Sequence, residues 1–418
     1  MRVKFPLATA TVATCVSTLA LGGDWVVTVL EVQGEQGFPS VNAVWGDRQA
    51  GSIDPGLQQP TIWLGAPGTG FQAVLPLSAA GGQIVSLTET TAVGDGYVPD
   101  LGGYVVMVWN AAGTSVNVIQ PPPEFMAAFV GGAGGNQQVG VVEDFDLGRQ
   151  EPALWTGTTA SFVSLLPPGF EGGRADATDG VQQVGQVSTP PDYFNNAALW
   201  TGTAGSFVNL HPGGVWLESN ASDVSGGVQV GWVYDGNASF ASAWMGTSGS
   251  MFLLHPSHVP AALNSEANAI DETVVCGSTD EMTNDGQASR AAVWTSLDPL
   301  SYVNLHDVLG PGYSRSEASA VWVGDDGLIR VVGNAELADT FDSVAVMWTL
   351  DPCAFGLAIP ASNASMTGDL DGDLVADSCE PIAPEEDCDS NNVRDSDQTL
   401  VFTNETFESG AGPWSINA

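Results

Sequence analysis

Apolar residues in this chain come in short bursts of three to six, rich in Val, Ile, Leu and aromatic side chains, and Gly, Asn, Asp, Ser or Pro closes each burst. Bursts of that length predict β-strands joined by tight turns. Nowhere do apolar positions recur every three or four residues over a helix-length stretch, and 51 Gly with 25 Pro would break such helices. The expected class is all-β.

The bursts fall into a repeating unit. Trp63, Trp109, Trp155, Trp200, Trp244, Trp294 and Trp348 follow one another at intervals of 46, 46, 45, 44, 50 and 54 residues, each after an apolar residue or Ala. Around three of them the text nearly repeats: Ala153-Leu-Trp-Thr-Gly-Thr, Ala198-Leu-Trp-Thr-Gly-Thr and Ser242-Ala-Trp-Met-Gly-Thr. A further apolar segment follows each, as in Ser206-Phe-Val-Asn-Leu-His-Pro. Upstream stands a Gly-flanked run such as Gly180-Val-Gln-Gln-Val-Gly-Gln, and before it a small-residue stretch such as Ser219-Asn-Ala-Ser-Asp-Val. One unit therefore holds four short strands, which is one blade of a β-propeller. About seven such blades fill residues 41 to 352. The earlier run Trp25-Val-Val-Thr-Val-Leu is placed to complete the last blade and close the ring, which removes exposed sheet edges.

A small-residue strand, then Gly-x-x-Val-Gly, then Ala-x-x-Trp, then an apolar strand ending in Leu resembles the extracellular repeats of the bacterial HAF type. The resemblance covers about three quarters of the chain and implies a repeat fold, with no activity attached. The chain departs from that type in having Ala-Leu before the tryptophan and Asn-Leu-His after the next strand.

The ends of the chain add other features. Met1-Arg-Val-Lys, an apolar run from Phe5 to Leu21 and small residues at Ala20-Leu21-Gly22 have the layout of a secretory signal peptide over residues 1–22, with the propeller over 23–352. That predicts a secreted or cell-surface protein. The formal charge of −39, from 48 acidic against 9 basic residues, repels phosphate backbones and anionic lipid surfaces, so neither nucleic acid nor membrane insertion is expected. In an exported chain Cys276, Cys353, Cys379 and Cys388 are consistent with two disulfides, whose pairing the sequence leaves open.

Residues 353–400 form an Asp-rich segment that carries 11 of the acidic residues between Asp369 and Asp397. Two strings share one spacing. In the first, Asp369, Asp371 and Asp373 offer oxygens at positions 1, 3 and 5, Val375 a backbone carbonyl at 7, Asp377 a ligand at 9 and Glu380 a carboxylate at 12. In the second, Asp387, Asp389, Asn391, Val393 and Asp395 repeat the pattern, with the neutral Gln398 at position 12. Oxygens at this spacing wrap a hard cation that takes six to eight ligands, which points to calcium. The strings resemble thrombospondin type 3 repeats and the dockerin calcium loop, where Cys379 and Cys388 would tie neighbouring sites; Leu374 and Asn392 stand where those loops favour Gly. The fold class is thus a β-propeller of about seven four-stranded blades plus a short calcium-stabilised loop segment. Residues 401–418 are a tail or the start of a further β-sandwich, resembling the opening strand of the carbohydrate-binding type.

Catalytic signals are sparse. His211, His255 and His306 occupy equivalent repeat positions, where a shared structural task such as capping a turn competes with a ring of metal ligands. Neither a Gly-x-Ser-x-Gly elbow nor a His-Glu-x-x-His string occurs. Gly65-Ala-Pro-Gly-Thr-Gly and Gly131-Gly-Ala-Gly-Gly lack the Lys of a phosphate loop and read as turns between strands. Glu143, Asp144 and Asp146 are the densest acidic cluster in the blades and read as an exposed loop. The sequence therefore favours a non-enzymatic binding or structural propeller for an extracellular protein or glycan, with a polysaccharide hydrolase or lyase on the same scaffold as the alternative.

Overall fold

The computed structural model describes residues 25–31, 37–54, 56–188, 194–283, 286–324 and 326–351. They form seven four-stranded antiparallel sheets, six of them meanders whose strands pair in chain order. The first sheet runs Phe38–Trp45, Arg48–Asp54, Gln59–Trp63 and Phe71–Gln72, and the next five repeat that scheme. The seventh is built from Tyr313–Val323, Ile329–Leu337 and Ser343–Leu350, and its fourth strand is Trp25–Leu30 from the start of the chain. Val27 faces Trp348 and Leu30 faces Ala345 in that pairing. The inner strand of blade 1 packs on blade 7, so the ring closes on seven blades.

The core is divided among the seams rather than gathered in one place. Seven apolar clusters lie between neighbouring sheets, and each holds one of the seven repeat tryptophans, fully buried at the end of a third strand. An indole is large and flat enough to fill the wedge between two twisted sheets. Trp109, Trp294 and Trp348 also donate Nε1–H to the carbonyls of Val74, Leu254 and Leu305 in the preceding blade, at 2.6, 2.8 and 3.1 Å.

Each remaining letter of the repeat has a physical task. In every blade the inner strand carries a β-bulge at an equivalent position beside a glycine of the second strand, and the inner strands of blades 6 and 7 carry a second bulge near their start. A Cβ on Gly51, Gly94, Gly140, Gly185, Gly231, Gly277 or Gly333 would lie 1.8–2.1 Å from an inner-strand carbonyl oxygen. That is why Val-Gly recurs. Two residues before it, Gln49, Gln138, Gln183 and Gln229 are buried, and their Oε1 atoms accept the N–H of Gly65, Gly157, Gly202 and Gly246 at 2.6–2.8 Å. These last glycines, two residues after the tryptophan, have φ between 67 and 87° and turn the chain toward the fourth strand.

Two expectations are corrected. Gly131, Gly132 and Gly134 do not form a turn; they lie in the inner strand Ala127–Gly134, where a Cβ at each would sit within 3.0 Å of backbone oxygens of blade 4. The two-disulfide scheme also fails, because Cys276 is a free thiol, wholly buried between blades 6 and 7. Burial there pushes its pKa far above the ordinary thiol range. The other three cysteines, the signal segment and the whole Asp-rich segment lie outside the described residues. Among the described residues no helix is long and apolar enough to cross a membrane.

Candidate functional site at the channel mouth

The small-residue stretches that precede each Val-Gly are the seven inner strands, and they converge on the axis of the ring. Past the bulge, their last residues and the hairpins after them enclose a cavity of about 630 Å³ to which every blade contributes. The bulge residues are Asn42, Val85, Gly131, Asp176, Ser222, Asn268 and Ser319. A bulge re-aims one side chain without disturbing the ladder on either side, so this position varies while its neighbours stay fixed.

The chemistry of the mouth is one-sided. Glu89, Asp176, Asp179, Asp223 and Asp271 line it, and among the described lining residues there is no Lys, Arg or His. Two indoles join them at matching positions of adjacent blades, Trp45, which is 39% exposed, and the half-buried Trp322. The arginines beside the mouth are already engaged, Arg174 with Asp176. Arg48 donates to the carbonyls of Thr88, Glu89 and Ala111, and Arg330 pairs with Asp326 while its guanidinium lies 5.1 Å from the Trp322 ring centre.

Most of these carboxylates also hold the ring together. Asp223 accepts the N–H of Ile270 in the next blade at 2.8 Å, and Asp271 accepts that of Val323 at 2.8 Å. Asp179 closes a hairpin by accepting the N–H groups of Val181 and Gln182. Burial pushes Asp223 up to about 7 against those hydrogen bonds, and it raises Asp271 for the same reason. Asp176 pairs with Arg174 through Oδ1 and is hydrogen-bonded by Asn220, and burial raises its pKa despite both.

The residues singled out from sequence lie elsewhere. Each repeat histidine is a seam latch: Nδ1 of His211, His255 and His306 meets Oγ of Ser219, Ser265 and Ser316 in the next blade at 2.8–2.9 Å. Each serine in turn accepts a backbone N–H, from Ala197, Ala241 or Ala291. Burial lowers all three imidazoles, and the adjacent Arg290 helps to bring His306 down to about 4. The structural reading therefore prevails, as a latch across the seam rather than a turn cap. Among the described residues no three His, Cys, Asp or Glu side chains come together to hold a metal ion. Asp144 caps an exposed turn by accepting from Asp146 and Leu147 N–H, and Glu143 accepts from Gln150, so that acidic cluster is the end of strand Gln137–Asp144 and the turn after it, apart from the mouth, rather than a loop throughout. The calcium candidates Asp369 to Glu380 and Asp387 to Asp395 lie outside the described residues. The mouth itself was missed in the sequence, although the small-residue stretches marked its walls.

No protein-family model matches the chain, and neither does any curated protein. Among solved structures it is similar to the β-propeller domain of the Trilobed protease from Pyrococcus furiosus, at 11% identity and a TM-score of 0.49, over 74% of this chain and 95% of that one. It is similar to TolB from Acinetobacter baumannii at 10% identity and 0.39, over 79% and 81%, and to an oligogalacturonate lyase in complex with manganese at 12% and 0.38, over 79% and 98%. At such values no activity or ligand transfers between chains, and the seven-bladed assignment rests on the strand pairing.

Proposed function

We propose that the protein is an exported, non-enzymatic binding propeller that takes an extracellular ligand at the channel mouth, with the Asp-rich segment as its calcium-binding part. One observation carries this reading: a cavity to which all seven blades contribute, with two indoles at its rim and with Asp176, Asp179, Asp223 and Asp271 of its lining tied to Arg174 or to backbone N–H groups. The enzymatic alternative does find carboxylates converging at the axis. Asp223, Asp271 and Asp179 spend their oxygens on backbone N–H groups, however, which makes them anchors before they are acids or bases. A lyase acting on an anionic polysaccharide would further need cationic groups to neutralise its substrate, and the described lining offers none.

A glycan and extracellular-protein array probed with the parent chain and with Trp45→Ala and Trp322→Ala tests the site. Stacking on an indole is worth about 1–2 kcal/mol, so each variant should weaken binding by about tenfold. A ligand whose binding neither variant changes would place its site elsewhere. Calcium is tested on the full chain by calorimetry: the parent should bind, Asp371→Ala should remove the tighter site and Asp389→Ala the weaker one, and absence of heat in the parent would end that part of the proposal.

A further inference from the structure

Three adjacent seams carry a fastening that the others lack. Between blades 4 and 5, 5 and 6, and 6 and 7, a serine three residues before the bulge, Ser219, Ser265 or Ser316, grips the preceding blade twice. It accepts the N–H of Ala197, Ala241 or Ala291 from the third strand at 2.9–3.0 Å, and it meets Nδ1 of His211, His255 or His306 at 2.8–2.9 Å. Between blades 1 and 2 the same three positions hold Pro60, Gly82 and Val74, and between blades 3 and 4 they hold Pro152, Gly173 and Leu166. Proline brings no N–H to satisfy and glycine no hydroxyl, so the same backbone donor is either capped or never made. Between blades 2 and 3 the positions hold Val106, Ala128 and Gln120. Histidine therefore stands only where the serine does, and it marks one arc of the ring.

The latches suit neutral rings. At His306 the tautomer is fixed: Arg290 donates from Nη1 to Nε2 at 2.8 Å, so the ring's proton sits on Nδ1 and goes to Ser316 Oγ. A proton added at Nε2 would expel Arg290 and set two cations side by side. His211 and His255 are half-buried, the latter edge-on to Phe240, and burial holds all three imidazoles below their ordinary range. Among the described residues Arg290 is the one charged group that acts on any of these rings, so no carboxylate offsets an added proton. At the mouth end of two of the same seams Asp223 and Asp271 accept the N–H of Ile270 and Val323, and burial raises both, so those ends hold more firmly as pH falls. We propose that the three histidine latches form an acid release, which loosens the seams of blades 4 to 7 on the side before the bulge and leaves the proline seams and the mouth closed. The release belongs to the ring itself, whatever the mouth binds.

Amide hydrogen exchange of the full chain between about pH 6.5 and about pH 5, read as protection relative to an unstructured amide at the same pH, tests this. Five blades share one reporter, a 2.8 Å hydrogen bond from the outer segment to the third strand: Leu210, Leu254 and Leu305 donate to Ala197, Ala241 and Ala291 in the latched blades, and Ala73 and Leu165 to Pro60 and Pro152 in the others. An imidazole that regains its ordinary proton affinity on opening raises the opening constant by up to about tenfold per pH unit below about 6.5. The three leucine amides should therefore lose at least about fivefold in protection, Ala73 and Leu165 should stay within about twofold, and Ile270 and Val323 should lose none. His255→Asn keeps a group that can bond Ser265 and removes the titration, so it should abolish the pH dependence at Leu254 while Leu210 and Leu305 keep theirs. Because the slope is read and not the level, a variant that is merely less stable still decides the matter. Equal loss at Ala73 and Leu165, a flat profile in the parent, or an unchanged slope at Leu254 in the variant would each overturn the proposal.

Discussion

At the scale of single residues, the repeat is a set of steric and hydrogen-bonding demands met seven times. The Val-Gly glycine is the most rigid of them, because the carbonyl that a Cβ would strike belongs to backbone on both sides of a bulge and has nowhere to move. Gly231→Ala, whose Cβ would lie 2.0 Å from the Asn220 oxygen, should destabilise the protein by at least about 2–3 kcal/mol, readable as a drop in denaturation midpoint. Gly249→Ala, with open space around its Cβ, is the control and should cost less than about 1 kcal/mol. The latches should weigh less than the glycines. His255→Ala frees Ser265 Oγ of one bond while leaving the Ala241 N–H satisfied, so a loss near about 1 kcal/mol is expected, with a melting temperature as the readout.

At the scale of elements, much was legible in advance, and the boundary of legibility has a physical cause. Tryptophan spacing announced the blades, and Trp25 to Leu30 announced the closing strand, because both are long-range regularities of burial. The glycine cluster at 131 to 134 misled because glycine serves turns and close strand approaches alike, and only the neighbouring blade's backbone tells them apart. The mouth was invisible for a related reason: it is built from the irregular residue of each bulge, which repeat patterns average away. The closing strand is the clearest element to test. Trp25 is buried in the seam between blades 6 and 7, whereas Leu30 is buried in the seam between blades 7 and 1, so one short strand fastens two seams. Leu30→Ala should cost about 2–4 kcal/mol and lower unfolding cooperativity, measured by denaturant titration. A change below about 1 kcal/mol would mean that the ring does not depend on this closure.

At the scale of the whole molecule, charge sets the dependence on pH. The chain carries a formal charge of −39, and burial within its ring raises Asp95 to about 6 and Asp223 to about 7. Both groups are taken up protonated more readily in the folded ring than in the unfolded chain, where carboxyls keep their ordinary value. Their contribution to stability is therefore full below the unfolded pKa and is lost as pH rises through the folded value. His306, lowered to about 4, acts in the opposite sense: its contribution holds above the ordinary imidazole value and is lost as pH falls through about 4. Above the ordinary imidazole value of about 6.5 no histidine opposes the carboxyls and the easing of self-repulsion, so stability should rise as pH is lowered from about 8 to about 6.5; below that the lowered His211, His255 and His306 work against them. Asp95 accepts the Val130 N–H from the next blade, and its shift of about two units corresponds to roughly 3 kcal/mol, gained between about pH 6 and the ordinary carboxyl value near 4. Denaturant titration of the parent, Asp95→Asn and Asp223→Asn at both ends of the range separates the causes. The variants should flatten the profile, whereas added salt should flatten only the part due to exposed charge. A parent that loses stability on acidification from about pH 8 to about 6.5 would show that the buried carboxylates stay ionised and act as hydrogen-bond acceptors alone.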